Sequence, residues 1–254
     1  MSNKRILFYV HFNKKDKVDD YVVYQLQKMR PIFDKVILIS NSLVDDNDFK
    51  KFDGLYDSFM QRENKGYDFA AWRDGMNELG WDELTSYDEV TVMNDTCFGP
   101  IYDFEPIYNE MQAKNVDFWG MTLNIALKNL VMDNDGNYIF APKHIQSYYI
   151  TFNKAVVTSK VFKDFWTGIQ DFTNVTDVIN NYEVVLTDLL SKHGFTYDAH
   201  YNAAKDWGKE VVTGSEADTS SISAGNMQKY NPGYTCTRPL WLLETANNYP
   251  FIKT

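Results

Sequence analysis

The sequence predicts an α/β fold in which a mostly parallel central sheet is flanked by helices. Three observations predict it. The runs Ile6–Val10 (ILFYV) and Lys35–Ser40 (KVILIS) are apolar at successive positions, so both faces of each strand must be covered. Segments with apolar residues three and four apart stand between such runs and read as amphipathic helices. Strand and helix alternate from Ile6 to Met93, the pattern of parallel strands joined by crossover helices.

Each element follows from local chemistry. After Ile6–Val10, Asp16 is expected to cap a helix carrying Val18, Val22, Leu26 and Met29 on one face, and Pro31 stops it. Lys35–Ser40 is the second strand and Asp57–Gln61 (DSFMQ) the third. A helix opening near Asp68 carries Phe69, Trp72, Met76 and Leu79, and Gly80 ends it. Tyr87–Met93 (YDEVTVM) is the fourth strand. Asp103 is expected to cap a helix with Ile107 and Met111, and Phe118–Leu123 and Ser147–Phe152 read as strands. Asp133–Asn137 is a turn, and its calcium-loop register fails because Val131 and Pro142 would occupy ligand positions. Helices are expected over Ser159–Gln170 and Asp177–His193, with Gly194 closing the latter. His193 sits in a last turn, where it meets the helix dipole. From Asp198 onward the chain is loop-rich, with Thr219–Gly225 (TSSISAG) the most flexible stretch.

Composition narrows the function. The 254 residues hold 25 Lys and Arg against 35 Asp and Glu, a formal charge of −10, and the pI is near 4.9. That balance argues against a nucleic-acid partner and against a polybasic membrane patch. With 17 Tyr, 17 Phe and 6 Trp the chain is rich in aromatic residues, which suits sugar handling and a dense core alike. Cys97 and Cys236 are too few for a zinc site and are expected to stay reduced in a cytosol. No stretch reaches the ~20 apolar residues of a membrane span, and the N-terminus lacks a signal peptide's features, so a soluble protein is expected. G-x-S-x-G, Walker, G-x-G-x-x-G and H-E-x-x-H patterns are absent. That weighs against a serine hydrolase, a P-loop kinase and a dinucleotide dehydrogenase, and the histidines have no zinc-ligand spacing.

Open parallel sheets bind ligands at the carboxyl ends of their strands. Three features fall there or face it. In Arg62–Asp68 (RENKGYD), Gly66 permits a tight turn, Asp68 can cap the helix and Asn64 offers both donor and acceptor to a nucleobase edge or ribose; the plain alternative is a capped helix start. In Asn94–Pro100 (NDTCFGP), Asp95 ends a buried strand and faces the cleft, where a carboxylate can bind Mg²⁺ or Mn²⁺ bridging a diphosphate; the alternative is a turn cap. Glu183 lies in the stripe Ile179, Glu183, Leu186, Leu190, a carboxylate on an apolar helix face. Burial raises a carboxyl pKa and makes a general base; the alternative is a side chain that packs its stem and keeps its head in water. His11, just past the first strand, is placed to touch a nucleotide.

Seven blocks in order carry a family resemblance: ILISNS, ENKGYDFAAWRDG, YDEVTVMNDTCFGP, DFWGMT, HIQSYYITFNKAV, VINNYEVVLTDLL and PFIKT. Together they resemble the rhamnan synthesis protein F family of glycosyltransferase-like proteins in bacterial rhamnose-containing polysaccharide assembly. The resemblance implies a GT-A-like, Rossmann-type fold as a single domain over residues 1–254. Residues 1–99 would form the nucleotide-sugar half and 100–254 the acceptor half. In that fold a D-x-D motif after the fourth strand holds metal and diphosphate; Asn94-Asp95-Thr96 stands there with one Asp instead of two, which leaves strict metal dependence open. The base comes from an acidic residue well downstream, and Glu183 is 88 positions beyond Asp95. His144, Gln146 and Ser147 would line the acceptor side, and Lys253 would fold back onto the diphosphate. The implied activity is inverting transfer of a sugar, L-rhamnose from dTDP-rhamnose by analogy, to a polysaccharide or lipid-linked glycan. It would take place in the cytoplasm at the inner membrane face. Two other readings stand beside it. One is a binding partner that kept the fold and lost the chemistry. The other is a nucleotidyltransferase, weakened because His11–Lys17 (HFNKKDK) has no glycine.

Overall fold

A computed structural model of the chain describes residues 3–124, 130–132, 138–140, 143–202 and 250–253. The first half alternates as the pattern predicts: β1 (Arg5–His11), α1 (Asp20–Met29), β2 (Lys35–Ser40), α2 (Asp46–Phe49), β3 (Ser58–Gln61), α3 (Tyr67–Leu79), α4 (Trp81–Leu84) and β4 (Glu89–Asn94). The second half adds β5 (Cys97–Phe98), α5 (Glu105–Ala113), β6 (Phe118–Asn124), β7 (Leu130–Met132), β8 (Tyr138–Phe140), β9 (His144–Ile145) and β10 (Tyr149–Asn153). It continues with α6 (Lys154–Val157), α7 (Lys160–Thr167), α8 (Val175–Val178), α9 (Val184–Lys192), β11 (Tyr197–Asn202) and β12 (Ile252–Lys253). The main sheet runs β11-β6-β10-β4-β1-β2-β3, with β9 paired to β6. β3, β2, β1 and β4 are mutually parallel, as are β6 and β11. β10 is antiparallel to both β4 and β6, and β9 to β6, so the sheet is mixed.

Pleating divides the central strands between two cores. Ile6, Phe8, Val10, Ile37 and Ile39 pack against Trp72 and Met76 of α3 and, further along the sheet, against Phe162 and Trp166 of α7. Leu7, Tyr9, Val36 and Leu38 pack on the other face with Val22 and Leu26 of α1 and Ile107 and Met111 of α5. This double burial is why those strands read as continuous apolar runs.

Several boundaries depart from expectation. Asp16 does not cap α1; it takes a positive φ of 53° and its Oδ1 accepts the amide of Leu43 at 2.9 Å. Asp103 lies two residues before α5, and its Oδ1 accepts the amide of Glu105 at 3.3 Å. The predicted helix 177–193 is three pieces: α8 capped by Asn174, a π-helical turn over Ile179–Glu183, and α9. A 3.6-residue periodicity cannot register the extra residue of a π turn. Ser159 does cap α7, and His193 Nδ1 contacts the Leu189 carbonyl at the end of α9, at 2.8 Å. The predicted turn at Asp133–Asn137 lies outside the described residues; β7 and β8 on either side pair antiparallel. Thr219–Gly225 and Cys236 also lie outside them, whereas Cys97 is a buried thiol.

Gly120 is the tightest point of the sheet near the cleft. A Cβ there would overlap Ile145 Cγ2 and stand 2.7 Å from the Tyr149 carbonyl. Gly120→Ala should therefore destabilise the protein by about 1–3 kcal/mol through overpacking, read as a lower urea midpoint at unchanged m-value.

Candidate functional site

A cleft of about 370 Å³ opens at the carboxyl ends of β1, β3 and β4. Its lining includes Asn64, Asp68, Asn94, Asp95, Gln146, Ser147 and Glu183, residues separated by up to 119 positions in the chain. Phe12, Tyr21, Tyr67, Thr96, Tyr148, Val175 and Val178 line it too.

Asp95 is the most buried acid lining the cleft. It is 5% exposed. Its Oδ2 accepts the amide of Phe12 at 2.9 Å, and Tyr21 Oη donates to its backbone carbonyl at 2.9 Å. Burial is the main cause that lifts its pKa to about 8; the Phe12 amide opposes this and the neighbouring Asp68 charge adds to it. The Tyr21 phenol is itself held protonated by burial and by Asp95. Asn94 is fixed at both ends: its Oδ1 accepts from the amide and hydroxyl of Thr96, and its Nδ2 donates to Asp68 Oδ2 at 2.7 Å.

Asp68 is thus an inward-facing acid and not a helix cap. Gly66 holds the cap position in left-handed geometry (φ 69°), and α3 starts at Tyr67. Gly66 is required there because a Cβ would stand 2.5 Å from Ala70 Cβ and 3.0 Å from Asp171 Cα. It shapes the cleft wall without lining it. Asn64 reaches the cleft from the loop between β3 and α3, with its Oδ1 accepting from Asn41 Nδ2 at 3.1 Å.

Glu183 stands opposite, at the last position of the π-helical turn, with its side chain 19% exposed. Ile179 shares the cleft wall with it, whereas Leu186 and Leu190 turn into the core. Its Oε1 lies 4.0 Å from His144 Nε2. His144 is 4% exposed and stands behind Glu183; it does not line the cleft as an acceptor residue would. Gln146 and Ser147, on the turn from β9 into β10, do line it.

His11 is a correction. The strand extends one residue further than its apolar run, so the pleat sends His11 to the α1 side with Leu7 and Tyr9. There it is fully buried, its ring nitrogens within 3.1 Å of Ser40 Oγ and the Lys17 carbonyl, edge-on to Phe52. Burial lowers its pKa. Lys253 pairs through its backbone with Cys97, beside the Asp95 loop; its side chain lies outside the described residues. Among the described residues no three His, Cys, Asp or Glu side chains gather into a metal cage. Asp95 and Asp68 are the carboxylates that share the cleft with Glu183.

Residues 36–222 of the chain match the rhamnan synthesis protein F family. The chain belongs to that family. It is 27% identical over 168 residues to the uncharacterized protein y4gN of Sinorhizobium fredii, covering 65% of this chain and 40% of the relative. It is 28% identical over 143 residues to the virulence protein VirA of Vibrio anguillarum, covering 54% of this chain and 40% of that one. The chain thus spans about 40% of the length of the curated relatives it matches. Among solved structures, a protein of Desulfovibrio desulfuricans G20 assigned to the nucleotide-diphospho-sugar transferases aligns with 98% of this chain and 97% of its own, at 16% identity and a TM-score of 0.45. The 4-diphosphocytidyl-2C-methyl-D-erythritol synthase of Anaerococcus prevotii aligns with 78% of this chain and 89% of its own, at 10% identity and a TM-score of 0.43. Both scores are low, and the likenesses are loose.

A raised carboxyl pKa favours the fold while the group stays protonated. That stability is complete below the unfolded value near 4 and is lost as pH rises through about 8. Asp95→Asn keeps the acceptor for Phe12 without the charge. The variant should gain in Tm over the wild type as pH rises from about 4 to 8, by about 2–4 °C for each kcal/mol. Thermal scans across that range check it; a pH-independent difference would contradict the burial of an ionisable carboxyl.

Proposed function

We propose that the chain is an inverting glycosyltransferase that uses a nucleotide-activated sugar. The observation that carries the reading is the meeting of Asn64, Asp95 and Glu183 around one cleft, from three parts of the chain. Family membership supports it, since the family is named for rhamnan synthesis.

In this reading the acceptor hydroxyl gives its proton to Glu183 and its oxygen attacks the anomeric carbon of the donor sugar. The bond from that carbon to the nucleotide diphosphate breaks, and the configuration inverts. Glu183 suits the base because one side of it meets the cleft while His144 stands behind it. Gln146 and Ser147 would hold the acceptor. Asn64 would bind the nucleoside, and Asp68 and Asn94 would order the wall between it and the diphosphate. Asp95 with Asp68 would hold Mg²⁺ or Mn²⁺, and such a cation would supply positive charge toward a departing diphosphate. Two carboxylates in one cleft fit a hard cation, and the buried Asp95 would ionise most readily beside such a charge.

The donor sugar is L-rhamnose carried on dTDP, and the acceptor is a growing polysaccharide or lipid-linked glycan at the inner membrane face. Among the described residues no helix is long and apolar enough to cross a membrane. In this reading the acceptor or a partner brings the chain to the membrane face.

Glu183→Gln should lower turnover by about 10²–10⁴-fold while nucleotide-sugar affinity stays near that of the wild type. Rate assays paired with titration calorimetry check it; full activity in that variant removes Glu183 as the base. Asp95→Ala should weaken nucleotide-sugar binding as well as rate, and unchanged binding would take Asp95 out of the site.

A further inference from the structure

One wall of the cleft is wired in a fixed direction. Arg62 carries only donors, and it spends them on Asp74 Oδ2 (Nε, 2.9 Å), the Lys65 carbonyl (Nη2, 2.7 Å) and Asn41 Oδ1 (Nη1, 2.9 Å). A guanidinium cannot accept, so Asn41 must turn its carbonyl toward Arg62. That leaves the Asn41 amide nitrogen facing Asn64, to whose Oδ1 it donates at 3.1 Å. Asn64 therefore turns its carbonyl toward Asn41. In a planar amide the Nδ2 group, with two N–H donors, points away from that oxygen, and Asn64 lines the cleft. Asn41 is 4% exposed and follows β2 directly, its own amide extending the ladder to the His11 carbonyl, so the relay sits on rigid backbone. The polarity of Asn64 is thus set two residues away, by Arg62.

We propose that Arg62 and Asn41 are positioning residues that make Asn64 a donor, so that the cleft selects a nucleotide presenting an acceptor oxygen there. Resting on the nucleotide-sugar reading, this assigns Asn64 to the nucleoside and not to the diphosphate. β3 lies three strand spacings from β4 in the sheet, about 14 Å, which separates the strand ends feeding Asn64 and Asp95 by roughly the reach of a nucleoside diphosphate. The matching group on the ligand is an oxygen of the nucleoside, a pyrimidine carbonyl or a sugar hydroxyl.

Asn41→Asp tests it. The substituted carboxylate keeps the shape and still accepts from Arg62, but its second oxygen can only accept. Asn64 must then turn its amide toward it and show a carbonyl oxygen to the cleft. Titration calorimetry with dTDP, thymidine and pyrophosphate is run on wild type and variant, with Tm measured beside it. The expected result is about tenfold weaker binding of dTDP and thymidine at near-wild-type Tm, with pyrophosphate unaffected. The loss should persist at about 1 M salt, where charge repulsion over more than about 3 Å is screened. Unchanged dTDP affinity, a loss erased by salt, or a loss confined to pyrophosphate would overturn the proposal. If Asn41→Asp does not fold, Asn64→Asp at the cleft wall removes the same donors and should show the same pattern. A wild-type protein that does not bind dTDP overturns the dTDP-sugar transferase reading and this inference with it. Binding by the wild type with no effect of either variant overturns the relay alone.

Discussion

The hydrogen bond from the Phe12 amide to the Asp95 carboxylate is the constraint on which the cleft depends. β1 and β4 are neighbours, and their parallel pairing delivers the loops that leave them to the same edge of the sheet. The bond then ties those loops together, so the acid is held by backbone and not by a swinging side chain. Tyr21 of α1 adds a second tie through the Asp95 carbonyl. Around this fixed point Asn94 orients Asp68, and α3 enters at an angle set by the left-handed Gly66. An acid buried to this degree costs stability, and such groups in clefts concentrate where chemistry or binding occurs.

The wall opposite is built on different terms. Glu183 ends a π-helical turn, and such turns often accompany functional positions because the extra residue displaces a side chain from the regular face. Here the displacement keeps Ile179 and Glu183 on the cleft while Leu186 and Leu190 stay in the core. The site thus joins a rigid acid on a strand end to a carboxylate on a locally widened helix, with β9 and β10 closing the third side.

What the sequence made legible follows the same physics. Asn64 and Asp95 could be read because strand ends in such sheets face the ligand edge, and Glu183 because one carboxylate interrupts an apolar stripe. Asn41 was equally readable, standing directly after the KVILIS strand, yet an Asn beside a Ser looks like an ordinary turn. The part played by Phe12 was not readable, since a backbone amide leaves no mark in a sequence. The antiparallel course of β10 was hidden for a related reason: a strand buried on both faces has the same composition in either direction. His11 was misplaced because the pleat, not proximity to the strand end, decides which face a side chain takes.

The floor beneath the Asp95 loop carries one more consequence. Phe251 is fully buried against Phe104, Tyr148 and Tyr149, and the Ile101 amide donates to the Pro250 carbonyl at 2.8 Å. A ribosome adds these residues long after Asn64, Asp95 and Glu183. A nascent chain can zip up its parallel strands early, but the underside of its acid loop stays bare until Phe251 emerges. A floored cleft therefore requires the chain through Phe251, and a polypeptide broken off before that point would have the sheet without this floor.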